Sequence, residues 1–351
     1  MMKVSDFDYE LPEELIAKHP PKIRGTSRLL ALNRKNGDIS DDKYANLVNY
    51  LSPGDVLVLN NTKVIKARLM TKRSDGAVRE ILILEKHGDK DDWHHHKVMY
   101  RGKIFSGDVL RVVSNNKAQN QSIDEVVVEE ILGDGLATVK SNTDLLELAE
   151  KYGSPPLPPY LHRDATSDDV ERYQTVFAKS SGSVAAPTAS LNLTGDLLEK
   201  IETKGVIVKY ITLHVGLGTF LPIRESQVEK HQIHSEYFEI PIDTAETIRK
   251  IKKSGKRVVA VGTTVARTLE FVASQESSDD FLTFGEANIY IYPGYEFKMV
   301  DALLTNYHAP RSTVLMLASA FAGKDNLQKA YQHAIKQKYQ FLSYGDSMLI
   351  Y

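Results

Sequence analysis

Between residues 67 and 149 the chain changes its hydrophobic period, and this break limits the possible folds more than any other feature. It contains the short alternating or β-branched segments Val78–Glu85, Lys97–Tyr100, Val109–Val113, Glu125–Ile131 and Leu136–Lys140. Turns such as Ser106-Gly107-Asp108 and Gly133-Asp134-Gly135 separate them. Short strands at this spacing build a small barrel or sandwich. The sequence on either side has another rhythm. Upstream, the apolar run Asp55–Leu59 ends in the polar turn Asn60-Asn61-Thr62, Val64–Leu69 is extended, and Pro12 opens a helical turn in an N-terminal arm. Downstream, helix Gly195–Lys204 capped by Thr194 is followed by strand Val206–Leu213 and a helix opening at Asp243, with Glu246 at capping-box spacing. Strand Arg257–Gly262, helix Thr264–Ala273, strand Asn288–Tyr292 and helices near Ser312–Phe321 and Leu327–Lys338 complete the series. Such alternation predicts an α/β fold with partly parallel strands. The expected organisation is a large discontinuous α/β domain, residues 1–66 and 150–351, with a small β-barrel domain inserted at 67–149. Pro155-Pro156-Leu157-Pro158-Pro159-Tyr160 marks the return, because consecutive prolines forbid helix and lack amide donors.

The 351 residues suffice for two cores, since single domains usually stop growing near ~250–300 residues. Cysteine is absent, which removes disulfides, thiolate nucleophiles, Cys-ligated zinc and iron–sulfur clusters together. Catalysis must rest on imidazoles, carboxylates, hydroxyls and backbone dipoles. A formal net charge of -2 argues against a DNA-coating protein and leaves room for a local patch that docks one structured RNA. Apolar runs such as Val314–Phe321 fall far short of the ~20 residues that span a bilayer. The opening Met1-Met2-Lys3-Val4-Ser5-Asp6 has no signal-peptide pattern, so a cytoplasmic protein is expected.

Six segments could carry chemistry. In Leu213–Phe220, Gly216 and Gly218 let backbone approach a ligand, although without the third glycine of a dinucleotide fingerprint, and plain strand-to-loop geometry reads equally well. Val261–Thr268 is a strand running into a helix, whose free amides at Thr263 and Thr264 suit a carboxylate or phosphate; a simple Thr263 cap is the alternative. His231, His234 and Glu236 would align the two imidazoles on a helix and oppose them on a strand, so metal binding is a rival reading there. His94-His95-His96 also invites a metal reading, with a solvated loop beside Asp89–Asp92 as the alternative. Ser180–Ser190, small and polar, reads as a structured loop able to pack around a ligand, or as a linker. Asn306–Thr313 combines an amide, an imidazole and a helix start, and could pair with Ser343–Asp346.

Together these segments resemble the S-adenosylmethionine:tRNA ribosyltransferase-isomerase family of queuosine biosynthesis. The matching text is Asp6–Leu15, Ser27–Leu30, Val58–Arg68, Pro156–Tyr160, Tyr173–Thr188, Leu213–Phe220, His234–Glu236, Val259–Glu270, Leu303–Ala320 and Ser343–Ile350. The resemblance implies a large α/β domain interrupted by a β-barrel. It also implies transfer and isomerisation of the ribosyl group of S-adenosylmethionine onto 7-aminomethyl-7-deazaguanine in a tRNA anticodon, giving epoxyqueuosine, adenine and methionine. S-Adenosylmethionine is then a consumed substrate; no cofactor, metal or membrane is expected, and a monomer is. The chain departs from the family pattern at Ser190, Asn192 and Leu193, which replace a glycine, a histidine and a phenylalanine.

The implied chemistry begins with removal of a proton from the ribose carbon beside the sulfonium. His214 or His234, with Glu236 orienting it, is the expected proton-transfer group, because imidazole titrates near neutrality. Gly216, Gly218, Thr219, Thr263, Thr264 and Arg267 are the expected S-adenosylmethionine contacts. Arg68, Arg101, Lys103, Tyr160, Lys179, Asn306 and His308 are expected to meet the tRNA, through phosphate charge or base stacking. A metal-dependent hydrolase using His214, His231, His234 and His308 is the rival activity.

Overall fold

The computed structural model describes residues 2–87, 92–113, 124–216, 218, 223, 225–275 and 281–351. The first strands are β1 (Arg28–Leu32), β2 (Ile39–Lys43), β3 (Val56–Asn60) and β4 (Thr62–Val64). Then come β5 (Arg68–Lys72), β6 (Val78–Ile83), β7 (His95–Arg101), β8 (Val109–Val112), β9 (Glu125–Gly133) and β10 (Leu136–Ser141). These six close into a barrel in the order β10-β7-β6-β5-β8-β9, every pair antiparallel. Alternation builds it: Leu110, Val112, Val126 and Val128 point inward and are buried, while Val109 and Val127 face outward. Chain entry and exit lie side by side at the barrel root, where Arg68 and Ser154 exchange backbone hydrogen bonds of 3.1 and 3.0 Å.

The remaining strands are β11 (Ser180–Ser183), β12 (Ile207–Leu213), β13 (Glu236–Glu239), β14 (Val258–Val261), β15 (Phe284–Ala287), β16 (Ala302–Asn306) and β17 (Ser347–Ile350). Helices α1 (Leu145–Tyr152), α2 (Ser167–Arg172), α3 (Gly195–Thr203), α4 (Ile242–Lys253), α5 (Thr263–Gln275), α6 (Thr313–Ala322) and α7 (Lys324–Lys336) accompany them. A nine-stranded sheet runs β15-β13-β12-β3-β14-β16-β17-β1-β2, with β12, β3, β14 and β16 mutually parallel. β3, β14 and β16 are buried on both faces along their whole length, whereas β12 is buried only over residues 211–213 and carries Lys209 in its more open half. Val56, Val58, Val258, Ala260 and Leu303 join one core with α4, α5, α6 and α7, whereas Leu57, Leu59, Val259, Val261 and Leu304 join the other with α3. The fold is therefore the α/β sheet with a closed six-stranded barrel that the sequence implies.

Local expectations meet mixed outcomes. Thr194 caps α3 as read, its hydroxyl accepting the Leu197 amide at 3.2 Å. Thr194→Ala is expected to lower stability by about 1 kcal/mol, measured as a small shift in a urea midpoint. The capping box at Asp243 does not form: α4 begins at Ile242 behind Pro241, and the Asp243 carboxylate accepts instead from Lys209 Nζ at 2.7 Å. The strand expected at Asn288–Tyr292 lies earlier, at Phe284–Ala287. Ile289 and Ile291 alternate like a strand, but they pack onto the core without joining the sheet. Of the loop expected at His94–His96 only His94 lies in a turn; His95 and His96 open β7, and His96 is buried, its Nε2 3.2 Å from the Leu84 carbonyl and its ring against Trp93. Ser180–Ser190 is structured rather than a linker, containing β11 paired with β4 and a short 3-10 turn at Thr188–Ser190.

Candidate functional site

Three parallel strands, β12 and β14 on either side of β3 and β16 beside β14, release their chains at one edge of the sheet, where Val215, Gly262 and Tyr307 open a cavity of about 510 Å³. Ligands of open α/β sheets bind beyond the carboxyl ends of strands, and this volume lies within the ordinary range for such sites. Ala185–Ala189 form one side, Asn306–Ser312 another, and Tyr160 with Ser343 a third. Gly262, at φ 98, makes the left-handed turn that lets β14 pass directly into α5. That turn brings Thr263 and Thr264, the first residues of α5, into the wall.

The polar walls are tied to one another. Thr188 Oγ1 donates to Asn306 Oδ1 at 2.8 Å. The Tyr160 hydroxyl bonds the Ser343 hydroxyl and accepts the Ser343 amide at 3.2 Å. Burial pushes Tyr160 up to about 12, so it is a neutral phenol at working pH. His308 Nε2 lies 2.8 Å from Thr305 Oγ1, and burial pushes that imidazole down to about 3. Thus Tyr160, Thr263, Thr264, Asn306 and His308 share one cavity, although the sequence reading split them between two ligands.

The other expected residues lie elsewhere. His214 sits behind Val215, its Nδ1 2.9 Å from Thr62 Oγ1 and its ring stacked on Tyr237. Burial, assisted by Lys86, pushes it down to about 4, away from the near-neutral value expected of it. His234 is exposed and stacked close against Gly218, where an added Cβ would come within 2.6 Å of its ring. His231 meets Tyr290 edge-on at 5.4 Å. The residues 231–235 form neither helix nor strand, so neither alignment of the two imidazoles arises. Glu236 opens β13 and pairs with the buried Arg267 while accepting the Gly216 amide at 3.0 Å. It balances a guanidinium where an imidazole was expected. Burial pushes Arg267 down to about 10, which leaves it charged at neutral pH. Thr219 falls outside the described residues. Among the described residues no three His, Cys, Asp or Glu side chains are grouped to hold a metal, so the four-histidine hydrolase centre is not assembled.

On the barrel, Arg68 and Arg101 flank Glu80 at 3.8 and 3.9 Å, and Lys103 lies 5.0 Å from the exposed Phe105 ring. Lys179 is exposed beside the Asn61 carbonyl, to which its amide donates at 2.8 Å. The departures from the family pattern are structural: Asn192 accepts the Ser27 hydroxyl at 2.9 Å and donates to the Gly345 carbonyl at 3.3 Å, while Leu193 is core. Neither lines the cavity. Sequence reasoning missed Glu85, which crowds Gly216 so closely that a Cβ there would lie 2.1 Å from its Oε1. It sits two residues beyond β6, after the apolar run 81–84, where nothing in the local pattern marks it as a junction residue.

Among the described residues no helix is long and apolar enough to cross a membrane. Residues 4–350 match the model of the family described as queuosine biosynthesis protein. An S-adenosylmethionine:tRNA ribosyltransferase-isomerase of Pelodictyon phaeoclathratiforme is 52% identical over 99% of this chain and 100% of its own length. One of Francisella tularensis subsp. novicida is 43% identical over 100% of both chains. The crystal structure of an S-adenosylmethionine tRNA ribosyltransferase from Thermotoga maritima, 34% identical, superposes with a TM-score of 0.56 over 99% of this chain and 100% of that one. A family match across nearly the whole length, full-length relatives and a shared architecture lead to one conclusion: the chain belongs to the queuosine biosynthesis protein family.

Proposed function

We propose that the chain is an S-adenosylmethionine:tRNA ribosyltransferase-isomerase whose 510 Å³ cavity holds S-adenosylmethionine as a consumed substrate. The ribosyl group passes to 7-aminomethyl-7-deazaguanine in the tRNA anticodon, with isomerisation to epoxyqueuosine and release of adenine and methionine. The observation that carries this reading is the convergence of β12, β14 and β16 on one cavity with the first turn of α5 in its wall. Free amides at a helix start favour an anion, so Thr263 and Thr264 suit the methionine carboxylate. Tyr160, with the Ser343 hydroxyl behind it, offers a neutral aromatic face to the cationic sulfonium or to a base. No metal or other cofactor takes part in this reading, and the protein works as a cytoplasmic monomer.

The test is product release. Incubation with S-adenosylmethionine and tRNA bearing the deazaguanine is expected to yield adenine and methionine, and omission of that tRNA to yield neither. Absence of both products from competent protein and substrates would sink the reading. For tRNA binding, Arg101 and Lys103 are the barrel cations proposed to meet phosphate, beside the exposed Phe105 ring. Removing both charges should flatten the log–log salt dependence of tRNA affinity by about 1.4–1.8, since each neutralised phosphate contributes roughly 0.7–0.9. An unchanged slope would remove these two residues from the interface.

A further inference from the structure

Among the described residues, His308 is the one imidazole in the wall of the large cavity. Its backbone is held on both sides: its amide donates to the Tyr331 hydroxyl at 2.9 Å, and its carbonyl accepts the Tyr9 hydroxyl. Its ring is anchored through Nε2 to Thr305, a buried residue of β16 that cannot swing away. Nδ1 has no protein partner among the described residues. A fixed imidazole with one nitrogen held and the other open has the geometry required for proton transfer.

We infer that His308 is the proton-transfer residue of the reaction, accepting at Nδ1 the proton of the ribose carbon next to the sulfonium, with Thr305 as its positioning residue. The inference rests on S-adenosylmethionine occupying this cavity. In the step, the C–H bond breaks, its electron pair stays on carbon beside the positive sulfur, and the proton forms an N–H bond at Nδ1. The step requires the tautomer in which Nε2–H donates to Thr305 Oγ1, leaving the lone pair on Nδ1. The C5′ electron pair then forms a C4′=C5′ double bond as the C4′–O4′ bond breaks, and the freed oxygen pair forms C1′=O as the glycosidic bond breaks. Adenine, leaving with that bond's electron pair, takes the imidazolium proton and returns His308 to its neutral form. The net charge in the cavity is unchanged, because the ylide is neutral overall and the imidazolium carries the single positive charge that the sulfonium substrate brought in. Burial holds that free ring in its base form throughout the neutral range.

The experiment compares the unaltered full-length protein with His308→Ala, His308→Gln and Thr305→Val. It reads S-adenosylmethionine affinity by calorimetry, tRNA-dependent exchange of the ribose C5′ hydrogens in D2O, and adenine release. Both His308 variants should lose about 10²–10⁴-fold in adenine release and lose the exchange, with affinity for S-adenosylmethionine changed by less than about threefold. Added imidazole should restore part of the His308→Ala activity. Thr305→Val should lower kcat by about tenfold with KM unchanged, the signature of a misplaced proton acceptor. Glutamine keeps a polar side chain of similar reach but cannot take the proton, so His308→Gln decides the matter if the alanine variant misfolds. His308→Gln activity within about tenfold of the unaltered protein, or loss of S-adenosylmethionine binding in His308→Gln, overturns the assignment alone. No adenine release by the unaltered protein overturns the functional reading beneath it as well.

Discussion

Arg267→Met is expected to lower folding stability by about 3–5 kcal/mol, seen as a large drop in the urea midpoint with an unchanged slope. Arg267 projects from α5 and Glu236 from the first position of β13, and their side chains are only 11% and 3% exposed. Methionine fills the volume of the guanidinium stem but leaves the Glu236 carboxylate buried without its counter-charge. The double variant Glu236→Gln with Arg267→Met should recover much of the loss, because glutamine can still accept the Gly216 amide and carries no charge. A midpoint that stays put in the single variant would show that the pair contributes nothing to folding. Since Arg267 follows Thr263 and Thr264 by one helical turn, the same substitution should also weaken S-adenosylmethionine binding by loosening the start of α5.

The barrel and the parallel sheet were readable because each has its own period, and burial agrees with it: alternate inward residues in β8 and β9, fully buried runs in β3 and β14. What misled was chemistry that tertiary partners claim first. Asp243 has the spacing of a cap, yet Lys209 on the neighbouring strand takes its carboxylate. Ile289 and Ile291 alternate, yet their amides find no ladder. A local signal names the groups that need partners; it does not say which partner arrives.

The site was legible to the same degree. Gly262 and Thr264 mark a strand-to-helix turn in any fold, and the cavity forms at it. The choice between imidazoles was not legible, because it depends on which strand end faces the opening. His214 leaves β12 next to Val215, and the chain turns its ring away from the cavity toward Thr62 and Tyr237 while Val215 faces it. His308, two residues beyond β16, emerges on the open side. The Glu236–Arg267 pair was equally hidden, since its members lie on elements that meet only through packing of α5 against the sheet.

Asp169→Asn is expected to destabilise the protein by about 3 kcal/mol near neutral pH and to make its acid unfolding less steep. The carboxylate is buried on α2 and accepts from both terminal nitrogens of Arg163 at 2.7 and 2.8 Å, from the Thr166 amide and hydroxyl at 2.8 and 2.9 Å, and from the Tyr344 hydroxyl at 2.8 Å. Burial alone would raise its pKa; the Arg163 fork and the other donors outweigh that and hold it well below the ordinary value of 3.8. A carboxyl depressed by folding contributes stability that is complete above its unfolded value and lost as pH falls through the folded one. The advantage of the unaltered protein over the asparagine variant should therefore be constant above about pH 5 and shrink as the pH drops below about 4. An advantage that persists undiminished at about pH 2 would mean the carboxylate is not the origin of the stability. The effect reaches the cavity as well. Tyr344 follows Ser343, the residue that fixes the Tyr160 hydroxyl in the wall, so loosening Asp169 should raise the KM for S-adenosylmethionine with less change in kcat.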